Sequence, residues 1–145
     1  MSNFFKSMDI SASALTAQRF RMDVIAENVA NTNTTRTANG EPYRRRTVVL
    51  REREIPFSDH LKAGLEKTQG NGVEVASVQE DQSPFKLVYD PSHPDANEEG
   101  YVEMPNVDTA KEIIDMIAAY RAYEANVTAL NAFKQIALKA LEIGK

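Results

Sequence analysis

The sequence predicts an α+β fold, with long N- and C-terminal helices forming a coiled-coil layer and a small β-rich insert between them. Apolar residues recur with helical spacing in the first third of the chain and again from about Met104 to the end. Residues 38 to 103 hold five of the six prolines and five of the six glycines, interleaved with short strand-like runs. The expected helical core is therefore discontinuous, 1–37 with 104–145, and 38–103 forms a β-rich insert between its two parts.

In the N-terminal helix Met8, Leu15, Met22 and Val29 make one row at intervals of seven, and Ile10, Ala17 and Val24 make a second. Two apolar rows on one helix require two partners or one broad one. Asp9, Ser11 or Ser13 is the expected N-cap, because a side-chain oxygen can accept from the unpaired amides of the first turn. The far end runs into "ENVANTNTTRT", residues 27 to 37, which contains neither glycine nor proline. Asn28, Asn31 and Asn33 are the expected terminators, since their amides compete for nearby backbone groups.

Within the insert, "TVVL" (47–50), "VEVASV" (73–78), "FKLVY" (85–89) and "YVEM" (101–104) read as strands bounded by turn-forming sequence. Residues 58–67 add a short helix or an ordered loop. The C-terminal helix is opened by Pro105 and Asn106, with Asp108 or Thr109 as cap and Glu112 near the first turn. One stripe comprises Ile113, Ile117, Tyr120, Tyr123, Val127 and Leu130. The other, rich in alanine, comprises Ile114, Ala118, Ala125, Ala129, Ala132, Ile136, Ala140 and Ile143, and its small side chains permit close helix approach. A helix of about 37 residues is roughly 55 Å long at 1.5 Å per residue. A compact domain of this chain length is about 38 Å across. The helix is thus expected to project, its stripes covered by the N-terminal helix and by other chains, which favours a self-assembling, filament-like subunit over a hairpin packed on its own domain.

Composition narrows the chemistry. The 145 residues carry a net charge of -4, with no global attraction to nucleic acid or anionic lipid. There is no cysteine, which excludes disulfides, thiolate catalysis and cysteine-ligated zinc. The N-terminus lacks the apolar run of a secretory signal peptide and no segment has transmembrane length, so the protein is expected either to stay in the cytoplasm or to leave by another route. His60 and His93 stand in separate loop-like segments without metal-ligand spacing and read as surface residues. No Ser-His-Asp ordering, phosphate loop or HExxH is present, so neither an enzyme nor a cofactor or metal site is expected. "DANEEG" (95–100) matches the opening of an EF-hand loop, but the twelfth position is Asn106 where a bidentate glutamate is required; a polar turn is the better reading. Five arginines in Arg44–Arg53 raise nucleic-acid binding, yet interleaved glutamates and the acidic chain favour solvated strand edges or salt bridges between subunits. The sequons at Asn33 and Asn126 are of a length that arises by chance.

Two distant motifs carry a family resemblance. Asn28, Val29, Ala30, Asn31, Asn33 and Thr34 match the N-terminal signature Asn-apolar-Ala-Asn-x-Asn-Thr of the bacterial flagellar axial family. "NTTRT" with "PYRRR" replaces the Pro-Gly turn of most members and is similar to the proximal rod branch. "MPNVD" followed by "AYRAYEANVTALNAFK", with Tyr123, Glu124, Ala125 and Asn126 at its centre, resembles the family's C-terminal signature, and "EDQSPFKLVYDPSHPDANEEGYV" resembles the same branch. The resemblance spans nearly the whole chain, most weakly over 54–72.

It implies a structural subunit of the periplasmic rod that assembles helically and transmits torque. The implied partners are copies of itself, other rod subunits, the inner-membrane ring with its rod adaptor, and the flagellar type III export apparatus, a route that needs no cleaved signal peptide. No nucleic acid and no membrane insertion are implied. The assembly interface is expected on the helix stripes, at Met8, Ile10, Leu15, Ala17, Met22, Val24, Val29, Ile113, Ile117, Tyr120, Tyr123, Ala125, Val127, Ala129, Leu130 and Ile136. Isolated helices with uncovered rows are expected to be marginal before assembly. The competing classes are a cytoplasmic helical adaptor or chaperone and a nucleic-acid-binding module using the Arg44–Arg53 cluster.

Overall fold

The computed structural model describes residues 2–54 and 70–143. The element expected at 58–67, and His60 within it, lie outside the described residues. The order is α1 (Ser2–Ala30), β1 (Arg46–Glu52), β2 (Val73–Glu80), β3 (Lys86–Tyr89), β4 (Tyr101–Met104) and α2 (Thr109–Ile143). β1 pairs with β2, and β3 pairs with β4 in a separate antiparallel sheet. The predicted α+β arrangement of two long terminal helices around a small sheet-bearing insert is therefore present, and each predicted strand run falls on one of the four strands.

The start of α1 corrects one expectation. Asp9, Ser11 and Ser13 are interior residues, because the helix begins at Ser2. Ser13 illustrates why a serine there is tolerated: its hydroxyl bonds back to the carbonyl of Ile10 at 2.7 Å and accepts the amide of Val73 at 3.0 Å. At the other end the asparagine-rich tract does terminate α1, at Ala30. The Asn31 side chain donates to the Glu27 carbonyl at 2.9 Å and the Thr32 hydroxyl to that of Val29 at 2.9 Å, so the last carbonyls find partners without a glycine cap.

Met104 belongs to β4, and α2 starts later than the sequence pattern suggested, at Thr109. Asp108 is the cap, accepting the amides of Ala110 at 3.0 Å and Lys111 at 3.4 Å. The 35 residues of α2 give a length of roughly 52 Å.

The chain forms two compact units. One gathers Met1–Phe20, Val49–Ser77 and Ala119–Lys145; the other gathers Arg21–Val48 and Val78–Ala118. In the first, Phe4 meets Phe133 edge to face at 5.8 Å, and Arg53 and Arg51 pair with Asp9 and Glu74 at 3.4 and 2.8 Å. Gly72 sits there at φ +94, where an added Cβ would run into the Ser13 hydroxyl, so both backbone and space require glycine. In the second, Val24, Ile25, Tyr43, Val102 and Val107 are buried together with the polar Asn28 and Glu112.

Each helix turns a row spaced by three and four residues inward. On α1 it comprises Ser11, Ala14 and Gln18 in the first unit and Arg21, Ile25 and Asn28 in the second; on α2 it comprises Glu112 and Met116 in the second unit and Ala119, Tyr123, Asn126, Leu130 and Phe133 in the first. This is the coiled-coil period, and every residue of both rows is buried or half-buried.

Candidate functional site

The densest polar structure lies in the second unit, where the end of α1, the approach to β1 and the first turn of α2 meet. Asn28 is 1% exposed and uses all four hydrogen-bonding positions of its amide. Its Nδ2 donates to the Arg46 carbonyl and to Glu112 Oε2, both at 2.8 Å. Its Oδ1 accepts the Arg46 amide and the Tyr43 hydroxyl, both at 2.9 Å. One side chain thus ties helix, strand and helix together.

Glu112 is fully buried, and its other oxygen accepts from Arg45 Nε at 2.6 Å. A carboxylate in that position needs both a counter-charge and hydrogen bonds, and it has each. The Arg45 guanidinium also reaches Asp115 at 3.4 Å and Asp81 at 3.8 Å, and its backbone amide donates to Asn106 Oδ1 at 2.8 Å. Asn106 in turn donates to the carbonyls of Asp81 and Ser83 at 2.9 and 3.1 Å. The hydroxyl and amide of Ser83, with Arg45 beyond, hold the Asp81 carboxyl below the usual aspartate range. Burial pushes the Tyr43 phenol up to about 12, reinforced by the charge of Glu27.

The quoted tract "ENVANTNTTRT" feeds this junction from several points. The Thr34 carbonyl accepts the Tyr43 amide at 3.1 Å, and the Thr35 hydroxyl donates to Asp95 at 2.9 Å. Its polar character is therefore structural: Asn31 and Thr32 bond back to the last turn of α1, while Thr34, Thr35 and Arg36 find partners in the insert at Tyr43 and Asp95.

The arginine cluster has partners on its own chain. Its charges are answered within the chain: Arg45 by Glu112, Arg46 by Glu27 at 2.9 Å, Arg51 by Glu74, and Arg53 by Asp9, while Arg44 lies over the Phe85 ring at 4.2 Å. Salt bridges between subunits are not needed to account for them. "DANEEG" forms a polar turn in which Asn97 Oδ1 accepts the amides of Glu99 and Tyr101, and His93 Nδ1 accepts the Asp95 amide. Among the described residues no group of three His, Asp or Glu side chains is placed to hold a metal, and no helix is long and apolar enough to cross a membrane.

The residues expected on an assembly interface divide by burial. Ala17 and Val24 are buried; Met8, Ile10, Leu15, Met22, Val29, Tyr123, Val127, Ala129 and Leu130 are half-buried. Ile113, Ile117, Tyr120, Ala125 and Ile136 are exposed, at 50, 49 and 57% for the first three. Of the signature residues, Asn28 is buried, Asn31, Thr34 and Asn126 are half-buried, and Ala30, Asn33 and Glu124 are exposed. Tyr43, Arg45, Asn106 and Glu112 were not anticipated as a site. One signal was available: Glu112 opens the row that continues through Met116, Ala119 and Tyr123, and an acid on a buried row demands a cation.

Two family models match the chain. Residues 8–36 match that of the flagella basal body rod protein, and residues 98–143 match the C-terminal region of the flagellar basal body rod FlgEFG proteins. The chain is 54% identical to the flagellar basal-body rod protein FlgC of Bacillus subtilis (strain 168), over 97% of its length and 98% of that protein's. It is 46% identical to the protein of the same name from Borreliella burgdorferi, over 96% of each chain, and 39% identical to that of Aquifex aeolicus over the full length of both.

The chain belongs to the flagellar basal-body rod protein family.

The two matched stretches contain Asn28 on one side and Asn106 and Glu112 on the other. Tyr43 and Arg45, which complete the junction, lie between them. The two matched stretches are thus brought into direct contact by the fold, through the 2.8 Å bond from Asn28 to Glu112.

Proposed function

We propose that the protein is a structural subunit of the flagellar basal-body rod which joins the rod by covering the apolar rows its own fold leaves open, and which passes torque along the shaft. Residues 1–37 and 104–145 supply the helical core of that assembly and 38–103 the outward insert; other rod subunits and further copies of the chain are the partners. The observation that carries the reading is the mismatch on α2 between the row facing inward and the rows left in solvent. Ile113, Ile114, Ile117 and Tyr120 are each about half exposed or more, as are Ile136, Leu138 and Leu141 further along. Exposed apolar surface on this scale, beside so few buried apolar side chains among the described residues, marks an interaction face.

A nucleic-acid role has lost its basis, since the clustered arginines face carboxylates or a ring of the same chain. The test is complementation. Deleting the gene should leave basal bodies with an inner ring and no rod, and Ile117→Glu should fail to restore the rod while the purified variant keeps wild-type helicity. Rods in the deletion strain, or full motility with Ile117→Glu, would overturn the reading.

A further inference from the structure

Two surfaces of the chain pair exposed apolar groups with charge of opposite sign. The first is one face of the β3–β4 hairpin. Leu87 is registered against Glu103 and Tyr89 against Tyr101, so these four side chains share a face, while Val102, 2% exposed, points to the other side. Leu87 and Tyr89 are about two-thirds exposed, and the Tyr89 and Tyr101 rings already stand edge to face at 5.3 Å. Residues 87–110 contain no lysine or arginine. Among the described residues no ion pair answers Glu98, Glu99 or Glu103. An open cleft of about 390 Å³, lined in part by Tyr101, Glu103 and Asp95, lies beside the hairpin.

The second surface is the outer row of α2, spaced by four and three residues away from the inward row. It runs Lys111, Ile114, Ala118, Arg121, Ala125, and every member is exposed. Among the described residues neither Lys111 nor Arg121 forms an ion pair, although Lys111 lies within electrostatic reach of Asp81; Arg45, Arg46, Arg51 and Arg53 are by contrast each paired with a carboxylate. The alanines on either side of Arg121 leave room for a ring to lie against the helix.

We propose that the hairpin face of one copy docks on this outer row of a second copy, with Arg121 received by the Tyr89 and Tyr101 rings and the Glu103 carboxylate. A guanidinium suits both, as a cation over an aromatic face and as a charge-assisted donor to a carboxylate. The occupant is a second copy because the acidic aromatic face and its basic complement both reside on this chain. Since the two surfaces differ, the contact is head-to-tail and adds one copy beside the next. The proposal rests on the rod-subunit reading and specifies which surfaces of neighbouring copies meet.

The absence of cysteine makes a clean test possible. Two differently tagged copies, one with Leu87→Cys and one with Ala118→Cys, are co-expressed in a strain lacking the native gene, and isolated basal bodies are oxidised. A disulfide-linked dimer carrying both tags is expected, and neither variant alone should give one. In parallel, Glu103→Arg and Arg121→Glu should each impair motility, and the two together on one chain should restore it, because every head-to-tail contact then regains an opposite pair. Assembled basal bodies without the mixed dimer, a cross-link to a different rod protein, fully motile single swaps, or no rescue by the double swap would each overturn the docking. Rods formed in the deletion strain would instead count against the rod-subunit reading, so the two failures are distinguishable.

Discussion

Asn28→Asp isolates the chemistry of the junction, because it keeps the shape of the side chain and exchanges one N–H₂ group for an oxygen. In the native protein that nitrogen lies 2.8 Å from Glu112 Oε2. Two carboxylates at that separation repel by about 6 kcal/mol at an effective dielectric constant near 20. The pair escapes by taking up one proton, which at pH 7 costs about 4 kcal/mol for a carboxyl of ordinary pKa near 4. Protonation is the cheaper path, so it sets the penalty. The lost bond to the Arg46 carbonyl adds about 1 kcal/mol at every pH. The folded variant binds the shared proton more tightly than its unfolded chain does, so its stability relative to wild type falls as pH rises. The expected deficit is about 5 kcal/mol at pH 7 and about 2.5 kcal/mol at pH 5. Urea denaturation of the purified full-length chain at several pH values, followed by far-ultraviolet circular dichroism, measures it. Asn28→Ala, which removes all four bonds without adding charge, should show a deficit of about 3 kcal/mol with no such slope. A pH-independent deficit for Asn28→Asp would refute the claim that Asn28 holds its amide against a buried, charged Glu112.

Tyr43→Phe removes the hydroxyl that donates to Asn28 Oδ1 and should cost about 1 kcal/mol. Because the folded Tyr43 phenol is raised to about 12, its contribution is complete below the unfolded value near 10 and is lost as pH climbs through 12; the difference between wild-type and variant alkaline absorbance titrations should show a step near the upper value. Gly72→Ala places a side chain at φ +94 against Ser13 and should destabilise its unit by about 2 kcal/mol or more. Amide exchange at Val73 reports it, since that amide is held by the Ser13 hydroxyl, and unchanged protection would count against the close packing described.

Much of the fold was legible because it rests on periodicity. The seven-residue rows of α1, the stripes of α2 and the alternating runs of the insert each declare an element without reference to the rest of the chain. The failures lie where a residue's role depends on distant partners. Ser13 reads as a cap from its type alone, and only Val73, 60 residues away, reveals it as an interior anchor. Arg45 cannot be told from Arg44 or Arg46 in the sequence, yet it alone turns to the buried glutamate 67 positions on. Asn28 was visible as a signature residue, but as a terminator; its bond to Glu112 spans 84 residues. Local chemistry fixes what a side chain can do, and the topology decides which of those possibilities is used.

The polar junction and the apolar rows answer different needs of a subunit that must assemble. Apolar burial is non-directional, so two helices with rows at the same spacing can slide by a heptad at little cost. A buried ion pair contributes little net stability compared with apolar packing, but it tolerates few arrangements. Only one register lets Asn28 satisfy four partners while Glu112 meets Arg45, and any slip leaves a buried charge without its counterpart. Within the second unit the junction therefore fixes the rotation of the end of α1, residues 21–30, and the start of α2, residues 109–118, and with it the direction in which Ile113, Ile114 and Ile117 face. Neighbouring subunits then meet rows whose orientation is already set. Loss of the junction should consequently impair rod formation more severely than its effect on solubility would suggest, because what it supplies to assembly is direction.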